Sequence, residues 1–239
     1  MLPKKSISIV SISDVKIKET IYALKNSLKI LKSTDTILFT SKPLKQNKFE
    51  ANFISIIKIP EIKSIKDYSN FVIYELHKYI KTSHVLIVQW DGYIINKNKW
   101  DFKFLNYDYI GAPFIPRDSD KSYSRDKNGA FYINGNGGFS LRSKRLLEAP
   151  TKFQLKDNAY FTNSHEDGFF CVYQRRFLES KGFIWAPFSI AKNFSIESPI
   201  SLSDLEELPF GFHGKKMFYL KKVIQNLTFI FKIFKLFFK

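Results

Sequence analysis

The amino-acid sequence predicts an α/β fold, an open and largely parallel sheet flanked by helices. Three observations carry that expectation. Over the first ninety residues, short β-branched runs alternate with stretches of 3.6-residue apolar period. A 239-residue chain that is 44% hydrophobic has enough apolar surface for one large buried core. The apolar run Val85 to Val88 leads straight into Gln89-Trp90-Asp91-Gly92, and in open α/β sheets ligands bind at the carboxyl ends of the strands.

Element by element, Ser6 to Ile12 reads as a strand that ends at Ser13-Asp14. Ile17, Ile21, Leu24, Leu28 and Leu31 then mark one face of a helix. Two further β-rich runs follow, Thr36 to Thr40 and Phe53 to Ile59. Ser64-Ile-Lys-Asp67 has a capping-box pattern and opens a helix through Phe71, Tyr74, Glu75 and Lys78. Val85 to Gln89 is the next strand, and Tyr107 to Ile110 a short one. Pro116 to Asn128 is polar and unpatterned, long enough for a lid or a disordered loop. A glycine-rich turn and strand at Asn134 to Arg142, a short helix from Ser143, a helix from Glu166 to Lys181 and a last strand at Phe183 to Ala186 complete this part. There is no internal repeat.

From Lys215 to Lys239 the composition changes to seven lysines, no acid and many Phe, Leu and Ile. On a helix, Leu220, Val223, Ile224, Leu227, Phe231 and Phe234 share one face, with Lys221, Lys232, Lys235 and Lys239 opposite. The expectation is a domain at 1–215 and a basic amphipathic helix at 216–239. Lysine interrupts the tail too often for it to span a bilayer, so it is expected to lie on an anionic membrane surface. Packing of its apolar face on protein is the alternative.

The single Cys171 cannot form an internal disulfide. Its apolar neighbours Phe169, Phe170 and Val172 suit a core cysteine better than a nucleophile. No signal peptide is recognisable at the start, so a cytoplasmic, membrane-peripheral location is expected. The formal charge of +16, from 38 basic and 22 acidic residues, points to an anionic partner. Nucleic acid is disfavoured, because no helix-turn-helix, zinc spacing or RNP-like sequence is present.

Four features can carry chemistry. Asp91, at a strand end, can hold Mg²⁺ or Mn²⁺ shared with substrate phosphates. Gly135, Gly137 and Gly138 let the backbone approach a ligand closely, and their spacing matches neither a Walker loop nor a dinucleotide fingerprint. Glu166 and Asp167 precede a helical run, where they either cap it or supply a general base. His213, in Pro209-Phe-Gly-Phe-His-Gly214, can return over the crevice as a metal ligand. Trp90, Asn134, Asn136 and Arg142 are candidate sugar or phosphate contacts.

In this order the four features resemble the GT-A glycosyltransferase core. That core has an Asp-x-Asp-like motif, a glycine loop, an x-Glu-Asp motif and a late metal-binding histidine. The resemblance implies a GT-A-like mixed, mostly parallel sheet, with a Rossmann-like nucleotide-binding half and an acceptor half. It also implies Asp91 and His213 as ligands of Mn²⁺ or Mg²⁺, with Gln89 where the pattern has its first acid. Gln89, Trp90, Asp91, Asn134, Gly135, Asn136, Gly137, Gly138 and Arg142 would face a nucleotide sugar. Asp167 would be the catalytic base of an inverting transfer, with Glu166 as its helper. Over residues 5 to 215, Gln-Trp-Asp-Gly, Tyr109-Ile-Gly-Ala-Pro113, the glycine loop, Glu-Asp, Ala186-Pro187, Phe194-Ser-Ile-Glu197 and Pro-Phe-Gly-Phe-His-Gly resemble a bacterial family of glycosyltransferase type, known as a domain of unknown function. That resemblance implies a nucleoside diphosphate sugar donor, UDP-linked by preference, and a saccharide or lipid-linked acceptor of lipopolysaccharide or capsule. A non-catalytic sugar-binding module and a nucleotidyltransferase, which would release pyrophosphate, stand as alternatives.

Overall fold

The computed structural model describes residues 7–31, 35–44, 53–113, 125–133, 135–156, 165–197 and 207–219. Its centre is a six-stranded sheet in the order β3-β2-β1-β4-β6-β5. The strands are β1 (Ile7–Ile12), β2 (Asp35–Thr40), β3 (Ser55–Lys58), β4 (His84–Val88), β5 (Tyr109–Gly111) and β6 (Phe139–Ser143). The pairs β1/β2, β2/β3 and β1/β4 are parallel. Strand β6 runs antiparallel to both β4 and β5, so the sheet is mixed and mostly parallel, as expected. The chain leaves β1 toward β2 on one side and returns to β4 on the other. That reversal of strand order opens a crevice at the carboxyl ends of β1 and β4.

All six residues of β1 and all five of β4 are buried, because helices cover both faces of the sheet. Helix α1 (Ile17–Leu31) buries Ile21, Leu24 and Leu31 with Leu38 and Leu86 in one core layer. The other layer joins Phe39, Phe71, Val72, Leu146, Phe169 and Phe170. Helix α2 (Ile65–Asn70) starts at the anticipated cap, where the Asp67 amide donates to Ser64 Oγ at 3.1 Å and Ser64 Oγ donates to Asp67 Oδ2 at 2.9 Å. The chain then widens into a π turn, Phe71–Glu75. Helix α3 (Lys144–Lys152) is capped by Ser143.

The helix expected over Glu166 to Lys181 forms in pieces: α4 (Glu166–Gly168), a π turn Phe169–Tyr173, and α5 (Arg175–Ser180). One expectation is corrected. Phe183 to Ala186 is not a strand, since only Trp185 makes a bridge, to Tyr109. Within the expected lid, Arg125 bridges Phe131 around a tight turn in which the Gly129 amide donates to the Asp126 carbonyl. Residues 116–124 of that lid lie outside the described residues.

After α6 (Phe188–Phe194) come two short parallel strands, β7 (Ser195–Ile196) and β8 (Gly211–Phe212). The chain then enters a helical turn at 215–219 whose Met217 and Phe218 are buried beside Ala23, Tyr93 and Phe212. The rest of the expected amphipathic tail, 220–239, lies outside the described residues. No helix among the described residues is long and apolar enough to cross a membrane. Cys171 is fully buried and burial pushes its thiol pKa up to about 12, consistent with an inert core cysteine.

Candidate active site

The cleft at the reversal point encloses about 510 Å³. Its floor comes from the ends of β1 (Ser11 to Val15) and β4 (Gln89, Trp90), one wall from Ile62 to Ile65 and Tyr68, and the other from Asn136, Gly138, His165 to Asp167, Glu197 and His213. Three of the four predicted features therefore reach one cavity directly. The fourth, Asp91, stands just behind the lining, 6% exposed.

Beyond β4 the chain turns sharply: Gln89 and Gly92 exchange two backbone hydrogen bonds of 3.0 and 3.1 Å. The Gly214 amide donates to the Asp91 carbonyl at 3.0 Å, which ties the C-terminal segment to this turn. His213 consequently lies against Asp91, with Nε2 3.6 Å from Oδ1. The same Nε2 is 3.2 Å from Gln89 Oε1, and the Gln89 amide nitrogen donates to the Tyr68 hydroxyl at 3.1 Å. Asp91 Oδ1 is buried without a hydrogen-bond partner. Burial raises the Asp91 pKa against the lowering influence of His213. At His213, burial opposes the charged form, but the Glu197 and Asp91 carboxylates outweigh it and lift the pKa above the usual imidazole value.

The glycine loop sits between the two acidic clusters and explains its own composition. A Cβ on Gly138 would stand 2.0 Å from His213 Nε2, and one on Gly137 would stand 2.0 Å from Glu166 Oε1. Glu166 cannot move aside easily, because Oε1 accepts from the Arg142 guanidinium at 2.8 Å inside the core. Asp167 faces the loop from the other side: Oδ2 accepts from the Gly137 amide at 3.1 Å and Oδ1 from the Gly168 amide at 2.8 Å. Gly135 lies deeper, its carbonyl accepting from the Tyr109 hydroxyl. Asn134 lies outside the described residues.

Arg142 is misplaced by sequence reasoning. It is fully buried and does not line the cleft, so it is not a sugar or phosphate contact. It lies over Tyr109 (4.9 Å) and Phe170 (5.5 Å) and holds Glu166. Trp90 does line the cleft, with Phe218 packed edge-on at 5.5 Å and Lys16 Nζ 6.0 Å from its ring.

Two participants were given no role by the sequence reading, although Glu197 closes the Phe194-Ser-Ile-Glu197 string. Glu197 accepts from His213 Nδ1 at 3.3 Å and is also hydrogen-bonded by the Asn136 side chain. Its pKa is lowered, burial being outweighed by the His213 hydrogen bond and charge. Tyr68 reaches the cleft from α2, and burial raises its pKa. Tyr68 sits one position past the Ser64 capping box, a signal that places the helix and not its exposed tip.

Among the described residues no three His, Cys, Asp or Glu side chains gather as a metal-binding group. The donors that converge are Asp91 Oδ1 and His213 Nε2, with the Gln89 side-chain Oε1 beside them. Their spacing and the unpartnered Asp91 oxygen fit a hard divalent ion that fills its remaining positions with water and phosphate oxygens.

Residues 50–213 match the family described as a protein of unknown function, DUF5672. No curated protein matches the sequence. Solved structures of similar fold include a glycosyltransferase involved in the glycosylation of the major capsid of PBCV-1. It is 18% identical, with a TM-score of 0.53 over 87% of this chain and 93% of that one. An active-site mutant of LgtC is 14% identical, with a TM-score of 0.50 over 86% of each chain. At these identities the shared property is the fold, an open α/β sheet of the GT-A glycosyltransferase type.

Proposed function

The chain belongs to the DUF5672 family, proteins of unknown function, and from the chemistry of its cleft we propose that it is a glycosyltransferase taking sugar from a nucleoside diphosphate donor, UDP-linked by preference. The observation that carries this reading is the juxtaposition of Asp91 and His213 with Asp167 across one glycine loop, at the carboxyl ends of β1 and β4. Asp91, Asp167 and Glu197 lie around the cavity, and Glu166 is already paired with Arg142. Lys63 and His213 are the cationic groups in a lining that holds these carboxylates, and a diphosphate there is best balanced by Mn²⁺ or Mg²⁺ held by Asp91 and His213, with Gln89 beside them. When bound, the ion would neutralise charge on the departing nucleoside diphosphate.

This chain's own groups account for the rest. Val15 and Ile65 are 63% and 58% exposed at the rim and offer an apolar surface to the nucleoside base. Asn136, whose carboxamide oxygen accepts from the Gly138 amide at 3.1 Å, fixes the loop beneath the sugar. Asp167, oriented by the Gly137 and Gly168 amides, takes the proton of the acceptor hydroxyl as that oxygen attacks the anomeric carbon. Direct displacement inverts the anomeric centre. The acceptor is a saccharide, free or lipid-linked, of the surface-polysaccharide class in a bacterium. The basic segment Lys215–Lys239 would keep the enzyme on the cytoplasmic face of an anionic membrane beside it.

The test is turnover with UDP-, GDP-, CMP- and dTDP-sugars in the presence of Mn²⁺. Release of nucleoside diphosphate from a UDP-, GDP- or dTDP-sugar, and not of CMP from a CMP-sugar, is expected, with a β-to-α or α-to-β change at the sugar. Asp167→Asn should lower kcat by about 10² to 10⁴ while leaving donor binding intact. A product that keeps its anomeric configuration would remove Asp167 from the role of base, and pyrophosphate released from a nucleoside triphosphate and a sugar 1-phosphate, with no turnover of these donors, would replace sugar transfer with nucleotidyl transfer.

A further inference from the structure

The structure assigns a positioning role to Glu197: it fixes the ring orientation and tautomer of His213 so that Nε2 faces Asp91. The inference deepens the metal-assisted reading of the cleft and rests on it. Strands β7 and β8 pair in parallel, with Ser195 opposite Gly211 and Ile196 opposite Phe212. The His213 amide continues the ladder by donating to the Ile196 carbonyl at 2.9 Å. The residue that follows each strand is therefore forced beside its counterpart, and those residues are Glu197 and His213.

The side chains meet accordingly, with Glu197 Oε1 3.3 Å from His213 Nδ1. A carboxylate can only accept, so it holds an N–H at Nδ1. Nε2 faces the neutral Gln89 Oε1 at 3.2 Å and Asp91 Oδ1 at 3.6 Å, so Nε2 is the nitrogen that gives up its proton to a cation while Glu197 keeps the one at Nδ1. Glu197 is itself held. The Asn136 side chain bonds to it, and Asn136 Oδ1 in turn accepts from the Gly138 amide. Gly138 is the residue whose missing side chain leaves room for His213. A carboxylate behind a ligand histidine is a recurrent arrangement, and removing it costs 10- to 100-fold in metal affinity. The Glu197 side chain is 37% exposed, so its truncation leaves the core untouched.

Two measurements on the full chain test the assignment, each on the wild type, Glu197→Gln and Glu197→Ala. The first is the tautomer of His213, read without metal at pH 9 by long-range ¹H–¹⁵N correlation, with His213→Ala to identify its signals among the four histidines. Wild type should show Nδ1–H, and Glu197→Ala should move the ring toward Nε2–H. The second is Mn²⁺ binding by electron paramagnetic resonance with the metal alone. Affinity should fall about 10- to 100-fold in Glu197→Ala and less in Glu197→Gln, which keeps an acceptor oxygen. An unchanged tautomer in Glu197→Ala overturns the proposal, as does a shifted tautomer with undiminished Mn²⁺ affinity. A wild type that shows Nδ1–H, loses it in Glu197→Ala and binds no Mn²⁺ would uphold the orienting role and defeat the metal reading instead.

Discussion

Asp14 and Asp91 follow neighbouring parallel strands of one sheet, yet their surroundings are opposite. Asp14 closes the end of β1 with both oxygens in use. Oδ1 accepts from Thr40 Oγ1 and the Ser41 amide, each at 2.7 Å, and Oδ2 accepts from Ser41 Oγ at 2.8 Å and the Ile62 amide at 2.7 Å. It staples the chain after β1 to the segments after β2 and β3, and so builds one side of the cleft. Asp91 follows β4, more deeply buried, with an oxygen that no donor reaches. A carboxylate whose hydrogen bonds are complete is part of the scaffold. One that is buried and incomplete, with His213 beside it and no hydrogen-bond donor on one oxygen, is the carboxylate that the proposed function assigns to a ligand.

A third carboxylate sharpens the contrast with the largest expected effect on stability. Glu166 is buried like Asp91 but is matched by Arg142. Arg142→Met leaves that charge alone in the core and should cost about 3 to 5 kcal/mol in urea unfolding. Arg142→Met combined with Glu166→Gln should recover part of the loss, because no unpaired charge then remains. If the single variant were as stable as wild type, the Arg142–Glu166 pair would contribute nothing to the fold.

Asp14→Ala should cost roughly 2 to 4 kcal/mol, since it strands two backbone amides and two hydroxyls. Its pH dependence has a definite sign. Burial opposes ionisation of Asp14, but the hydrogen bonds from Ile62, Thr40 and Ser41 prevail and depress its pKa. The stabilisation is therefore present above the ordinary carboxylate pKa and is lost as pH falls through the depressed value. The gap between wild type and Asp14→Ala should narrow in acid, and a constant gap would mean that packing, not charge, holds these loops.

The smallest effect separates the two aspartates by sign. Burial raises the Asp91 pKa, so ionised Asp91 opposes folding throughout the range above the unfolded carboxylate value. Asp91→Asn should unfold at the same temperature as wild type or higher in metal-free buffer at pH 7, the opposite of Asp14→Ala. A clear loss of stability would show Asp91 to be a structural carboxylate.

Much of this was legible in the sequence for physical reasons that can be named. The β-branched runs gave β1, β2 and β4 because buried parallel strands are read from composition alone. Ser64 and Asp67 gave the start of α2 because a capping box is local. The glycines gave the loop, and the structure shows why: side chains of His213 and Glu166 occupy the space that Cβ atoms at 138 and 137 would fill. Arg142 was misread because its type suggested a ligand contact, whereas its burial depends on Tyr109 and Phe170, 33 and 28 residues away in the chain. Glu197 was quoted in a family string but given no role, because its partnership with His213 is made by two-residue strands too short to leave a periodic signal. Phe183 to Ala186 had the composition of a strand but gained only one bridging residue, Trp185.

The central claim is that Asp91 belongs to a donor site that needs a cation, and thermal unfolding of the whole protein against UDP-, GDP-, CMP- and dTDP-sugars tests it most directly. Each donor is added with and without Mn²⁺, to wild type and to Asp91→Ala. At a donor concentration 100 times the dissociation constant, binding adds about 2.7 kcal/mol of stability. The account predicts a rise in Tm with one donor class that requires Mn²⁺ and disappears in Asp91→Ala. A rise that is equal without the metal and unchanged in Asp91→Ala would contradict it.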